Sequence, residues 1–222
     1  LLHSVRTGEN AFRHRYGCSV FEWYTRNPQR SAIFDGAMGD FSRPETEAVL
    51  AAFDFSAIGR LVDVGGGRGE LMMAVLRANP GLHGTVFDQQ HVVAPVAVPT
   101  DLEGRLELAG GNFFASAPAG ADAYLLKHIL HDWHDDACRT ILRHIRAAMA
   151  PGGRVLILEQ VIPPGNDPFP GKLLDLNMLV MTEGGRERTP GEYALLLESA
   201  GLSLRRIHPT ASAVSVVEAV AG

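Results

Sequence analysis

From Arg60 onward, short apolar runs alternate with stretches whose apolar residues recur at helical spacing. Leu61-Val62-Asp63-Val64 predicts a buried strand that ends in Gly65-Gly66-Gly67-Arg68-Gly69. A helix is predicted from Glu70 to Asn79, stopped at Pro80-Gly81. Further strands are predicted over His83 to Asp88, Arg105 to Leu108 and Ala121 to Lys127. Asp135 to Met149 carries Ile141, Leu142, Ile145 and Met149 on one helical face and stops at Pro151-Gly152-Gly153. Arg154 to Val161 is almost continuously apolar, as expected of a parallel strand covered by helices on both faces. Lys172 to Thr182 and Pro190 to Ala200 predict helices. Two last β-like runs, Leu202 to His208 and Ala213 to Val220, are joined by a turn too short for a parallel crossover, so they pair antiparallel.

The pattern before Arg60 differs. Leu1 to about Phe55 is aromatic-rich, with Phe12, Tyr16, Phe21, Trp23 and Tyr24 close together, and reads as helices broken at Asn27-Pro28 and Asp35-Gly36. The chain therefore divides into a helical segment over 1–55 and an α/β unit over 56–222 with about seven strands. The fold class is a Rossmann-like open sheet, mostly parallel, with a C-terminal antiparallel hairpin and helices on both faces.

Composition narrows the function. The chain has 222 residues, 46% hydrophobic and 20% charged, with a formal net charge of −5. That is an ordinary globular balance with no basic face for nucleic acid. No apolar run approaches the roughly 20 residues that span a bilayer. Two cysteines, Cys18 and Cys138, make no disulfide framework and lack metal-ligand spacing, which points to a reducing, cytoplasmic setting. The chain opens on Leu1 rather than Met, which suggests a fragment of a longer protein.

The glycine loop lies between a strand and a helix, where backbone N–H groups can approach a ligand. A dinucleotide fingerprint, G-x-G-x-x-G, fails because its sixth position is Glu70. Asp63, Gly65, Gly67 and Gly69 fit acidic-x-G-x-G-x-G instead, and carboxylates at Asp63 and Glu70 suit a cationic ligand better than a pyrophosphate. Asp88 ends the next strand, where a carboxylate can accept ribose hydroxyls. Asn112-Phe113-Phe114 could bind an adenine edge and cover its face, although a polar turn over core phenylalanines explains that run equally well. For the loop, a plain strand-to-helix turn is the alternative, and the combined spacing argues against it.

His131 and Asp132 follow the fourth strand, Glu159 closes the fifth, and Glu187 sits in Gly184-Gly185-Arg186-Glu187-Arg188. One His with carboxylates from separate segments is an acid–base constellation if they meet. His128 and His134 read as bystanders. No H-E-x-x-H or comparable spacing occurs, so no metal site is predicted.

Together, Leu61 to Gly69, Phe87-Asp88, Lys127-His128-Ile129-Leu130-His131-Asp132-Trp133, Pro151-Gly152-Gly153 and Gly184 to Thr189 resemble the S-adenosylmethionine-dependent O-methyltransferases of the caffeate/hydroxyindole type. The chain looks most like their bacterial relatives acting on aromatic secondary metabolites, over its whole length. The resemblance implies a class I methyltransferase domain with His131 as general base, Glu159 and Glu187 flanking it, and Asp132 beside the reactive end of S-adenosylmethionine. It implies cofactor contacts from Gly65, Asp88, Phe113 and Lys127, with Trp133 near the adenine. Met178 and Thr182 fall where the family lines its acceptor pocket, which takes a small aromatic substrate. The family has an acidic residue where this chain has Asn112, whose amide oxygen can still accept from an adenine amino group. It also has an N-terminal helical domain that makes a homodimer, and the resemblance places that domain ahead of Leu1.

A phenol of pKa ~10 is three units from neutrality, so full ionisation costs about 4 kcal/mol. A His held by a carboxylate can take that proton during a metal-independent in-line transfer. Two rivals are a relative that keeps the cofactor site for hydroxylation, decarboxylation or ring closure, and a non-catalytic cofactor-binding module. Product masses separate them from methylation.

Overall fold

The computed structural model describes the backbone of residues 1–222 and all side chains except those at 32, 35 and 38–41. Four strands with nearly unbroken apolar runs form the middle of the sheet because both of their faces are covered. β1 (Arg60–Val64), β2 (His83–Asp88), β3 (Leu106–Gly110), β4 (Ala123–Lys127) and β5 (Arg154–Glu159) pair in parallel. β6 (Leu202–Pro209) and β7 (Ser215–Ala221) form the antiparallel hairpin, and β7 also pairs antiparallel with β5. The order is β3-β2-β1-β4-β5-β7-β6, so the winding reverses between β1 and β4. That reversal opens a crevice at the carboxyl ends of the two strands, the place where such sheets bind ligands.

Among the described residues, nine α-helices surround the sheet or precede it: α1 (Leu2–Thr7), α2 (Ala11–Tyr16), α3 (Val20–Arg26), α4 (Pro28–Ala52), α5 (Glu70–Ala78), α6 (Gln90–Val93), α7 (Asp135–Ala148), α8 (Pro170–Met181) and α9 (Pro190–Ser199). α7 buries Cys138, Ile141, Leu142 and Ile145, one stripe at helical spacing, against a core that includes Tyr124, Leu126 and Ile157. α5 buries Leu71, Met72, Val75 and Leu76 in the core on the opposite face. The polar turn before α9 has a physical cause in its capping box, in which Thr189 and Glu192 satisfy each other's backbone N–H groups. None of the described helices is long and apolar enough to cross a membrane.

The strand boundaries differ from the sequence reading by one to two residues. The fifth strand leaves the sheet at Gln160, and Val161 forms an isolated bridge with Arg188 instead. The break expected at Asp35-Gly36 does not occur, since α4 runs unbroken from Pro28 to Ala52 and also contains Pro44. A helical glycine costs about 1 kcal/mol. Tertiary contacts along α4 offset it, including Val49 in the core and Glu45 on the end of β4.

Candidate active site

The glycine loop is shaped by what lies under it. Gly65, Gly67 and Gly69 have φ of 73°, 58° and 77°, in the left-handed region that favours glycine. A Cβ at Gly65 would stand 2.4 Å from the Ile129 side chain, and one at Gly66 would stand 2.7 Å from the Asp63 carboxyl. At Gly67 a Cβ would meet nothing within 4 Å, so that stretch of backbone borders open space. The Gly67 N–H donates to Asp88 Oδ2 at 2.9 Å and the Gln89 N–H to Oδ1 at 2.6 Å. Each Asp88 oxygen thus keeps a lone pair for a ligand hydroxyl.

Asp63 is buried beneath this loop, and its side chain has no hydrogen bond among the described residues. Burial raises its pKa to about 7; Lys127 pulls the other way and Asp88 adds to the rise. On the next strand end, Asn112 Oδ1 accepts from the Phe114 N–H at 2.9 Å, and the Phe113 carbonyl is 3.1 Å from His144 Nδ1. The Phe114 and Trp133 rings meet edge to face at 4.8 Å, and Phe21 of α3 stacks on Trp133 at 6.2 Å. The helical segment therefore contributes an aromatic wall.

The chain leaves β4 through His128, whose φ of 52° is the sole positive value outside glycine among the described residues. That turn feeds a 3-10 turn, Leu130–Asp132, which buries His131. His131 Nδ1 lies 2.7 Å from Glu187 Oε1, so its N–H donates to the carboxylate, and it is Nε2 that bears the lone pair once the ring is neutral. Asp132 Oδ1 is 3.7 Å from that Nε2. Glu159 holds the other side of the residue: its Oε1 accepts from the His131 backbone N–H at 3.1 Å, and its Oε2 from the Tyr193 hydroxyl at 2.5 Å. Burial alone would lower the His131 pKa; the bond from Glu187 and the charges of Asp132 and Glu159 outweigh it and raise the value to about 9. Burial lifts Asp132 to about 6 against the pull of His131.

The loop carrying Glu187 is clamped by Arg188, which is fully buried. Its guanidinium donates to the carbonyls of Leu130 and Trp133 at 3.0 Å each and to Asp135 Oδ1 at 2.8 Å. A Cβ at Gly185 would lie 2.3 Å from the His131 carbonyl, so a glycine is required where the two loops touch. The Glu187 N–H donates to Asp175 of α8. Thr182 and Met178 are both buried at the end of α8, and the Thr182 hydroxyl is engaged locally: it donates to the Met178 carbonyl and accepts from the Gly185 N–H.

The structure thus joins His131, Asp132, Glu159 and Glu187 in one cluster, and Asp63, Gly65, Gly67 and Asp88 in another beside it. Lys127 bridges toward a residue that the sequence reading missed, Glu45 of α4. Its Nζ lies 2.7 Å from Glu45 Oε2 and also bonds the Ser42 hydroxyl. His128 has a structural contact, its Nε2 meeting the same Glu45 oxygen at 2.9 Å, and its ring is 5.1 Å from that of His131. Only the fold brings Glu45 there, from 83 residues away. His134 does have a local role, accepting from the Ala137 N–H at the start of α7. Arg188, Tyr193, Gly66 and Gly185 were also missed; for Gly185 and Arg188 the signal was present in the G-G-R-E-R-T run itself.

Chemically, one cluster offers a lone pair on a carboxylate-backed imidazole, and the other offers hydroxyl acceptors and uncompensated negative charge. Known proteins share this chain's sequence. The O-methyltransferase domain family matches residues 1–203. The phenazine O-methyltransferase PhzM of Lysobacter antibioticus is 40% identical over 222 residues, covering 99% of this chain and 65% of that protein. The mitomycin biosynthesis 6-O-methyltransferase of Streptomyces lavendulae is 43% identical over 225 residues, covering 98% of this chain and 63% of that protein. Among solved structures, the O-methyltransferase NcsB1 from neocarzinostatin biosynthesis was crystallised with S-adenosylmethionine and 2-hydroxy-5-methyl naphthoic acid. It superposes with a TM-score of 0.89 at 40% identity, over 100% of this chain and 66% of that one. The chain spans a little under two thirds of the length of the curated relatives it matches. By the extent of that match, and with this fold beneath it, the chain belongs to the O-methyltransferase domain family.

Proposed function

We propose that the protein transfers a methyl group from S-adenosylmethionine to a phenolic or enolic hydroxyl of a small aromatic secondary metabolite, with His131 as general base. The observation that carries this reading is the imidazole held by Glu187 with its Nε2 lone pair beside Asp132. The cluster of Asp63, Gly65, Gly67 and Asp88 fits the cofactor. Asp88 keeps lone pairs for ribose hydroxyls, Gly67 borders open space, and Asp63 is a buried carboxylate lacking a cation of its own. Gly65, Asn112, Phe113, Lys127 and Trp133 complete the cofactor-binding set, and Met178 and Thr182 the acceptor side. S-adenosylmethionine supplies there an already activated methyl on a sulfonium, so the chain has to position the acceptor and remove its proton.

His131 takes that proton on Nε2. A base of pKa about 9 is far better matched to a phenol than an ordinary imidazole. Glu187 holds the ring in one tautomer and stabilises the imidazolium, while Glu159, backed by Tyr193, fixes the backbone from which the ring projects. Asp132 lies where a carboxylate would favour a sulfonium, and a bound cation there in turn makes the imidazolium easier to deprotonate. As the family resemblance implies, the full-length protein is a cytoplasmic homodimer.

The pH dependence of methyl transfer tests this. kcat/KM reports the free protein, and it should rise with pH toward about 9 as His131 loses its proton. Glu187→Gln removes the largest of the raising influences, so the rising limb should move to lower pH while the plateau falls about tenfold or more. A limb that stays in place in Glu187→Gln would contradict the assignment of His131 as base.

A further inference from the structure

Glu45 of α4 reaches the crevice between β1 and β4, and only 4% of its surface is exposed. Its Oε2 receives both Lys127 Nζ and His128 Nε2, whereas its Oε1 is buried with no hydrogen-bond partner among the described residues. A buried carboxylate oxygen left without a donor is costly and rare. Asp63, the other carboxylate facing Lys127, also accepts no hydrogen bond among the described residues. Lys127 contacts Glu45 at 2.7 Å and acts on Asp63 only through its charge. Burial works against ionised Glu45, yet His128 and Lys127 hold its pKa below the usual carboxylate range, so it stays charged. Glu45 Oε1 is thus a charged oxygen left without an N–H donor among the described residues.

We propose that Glu45 is a binding residue for the amino-acid end of S-adenosylmethionine, its Oε1 accepting from the primary ammonium. A primary ammonium has three donors and no acceptor, which matches a carboxylate oxygen that lacks a donor. In this assignment α4 is a wall of the cofactor site, and the unbroken helix through Gly36 serves to carry Glu45 there. A purely structural ion pair would account for Oε2 and leave Oε1 unexplained.

The proposal rests on the cofactor reading above, and the test separates the two. S-adenosylhomocysteine and its deaminated analogue, which keeps the carboxylate and nucleoside, are titrated by calorimetry into the wild-type protein and Glu45→Gln. The wild type should prefer S-adenosylhomocysteine, and Glu45→Gln should lose about tenfold or more of that affinity while binding the analogue as before. Equal losses for both compounds, or no loss for either, would overturn the proposal. Should Glu45→Gln fail to fold, the wild type alone decides against it if it binds both compounds equally. If the wild type binds neither, it is the cofactor reading that fails, and the role of Glu45 falls with it.

Discussion

His131→Ala should lower the rate of methyl transfer by about two to four orders of magnitude while leaving the affinity for S-adenosylhomocysteine close to wild type. The large effect follows from the surroundings of the ring. His131 is 7% exposed, and the carboxylates around it are themselves engaged or poorly placed to replace it. Glu187 points its bonded oxygen at Nδ1, away from the acceptor side, and Glu159 is occupied by a backbone N–H and the Tyr193 hydroxyl. Asp132, with a pKa raised to about 6, is a much weaker base than an imidazole near 9. The cofactor cluster around Asp88 and Gly67 does not touch His131, so binding and turnover should separate. Because His131→Ala also leaves Glu187 buried without its partner, His131→Gln serves as a second variant that retains a donor. A wild-type rate in either variant would remove His131 from the reaction.

Asp63→Asn should stabilise the unliganded protein at pH 8 while sharply weakening S-adenosylhomocysteine binding. The folded pKa of Asp63, about 7, stands above its unfolded value of 3.8. Its contribution to stability is therefore full below the unfolded value and is lost as pH rises through the folded one. A shift of this size corresponds to at most about 4 kcal/mol by neutral pH. Asparagine cannot ionise, so relative to wild type the variant should gain stability between about pH 4 and 8, by up to that amount, and show little difference near pH 4. Denaturant unfolding across that range, without ligand, measures the gain. Calorimetry should show at least about a tenfold loss of affinity, since the carboxylate is a strained group that a ligand cation would relieve. A variant less stable than wild type at pH 8 would contradict this account of Asp63.

The divide between what the sequence disclosed and what it withheld follows contact distance along the chain. Continuous apolar runs such as Val155 to Leu158 and the glycines after Val64 are local signals, and the sheet with its antiparallel hairpin could be read from them. The constellation of His131, Glu159 and Glu187 was legible as candidates because each closes a strand or lies in a distinctive loop. Which carboxylate pairs with the ring was not legible. The structure gives Glu187 the ring and Glu159 the backbone. Glu45 was missed for a related reason: it looks like an ordinary charge, and its role exists only where α4 meets β4. Gly36 misled because a local propensity was outweighed by contacts further along the same helix.

The most direct test of the central claim is incubation of the purified protein with methyl-labelled S-adenosylmethionine and a panel of hydroxylated aromatic compounds, with products identified by mass spectrometry. At least one acceptor should gain a labelled O-methyl group, with one S-adenosylhomocysteine formed per product. An acceptor whose skeleton is altered without S-adenosylhomocysteine, or cofactor binding with no methylated product from any acceptor, would contradict that claim.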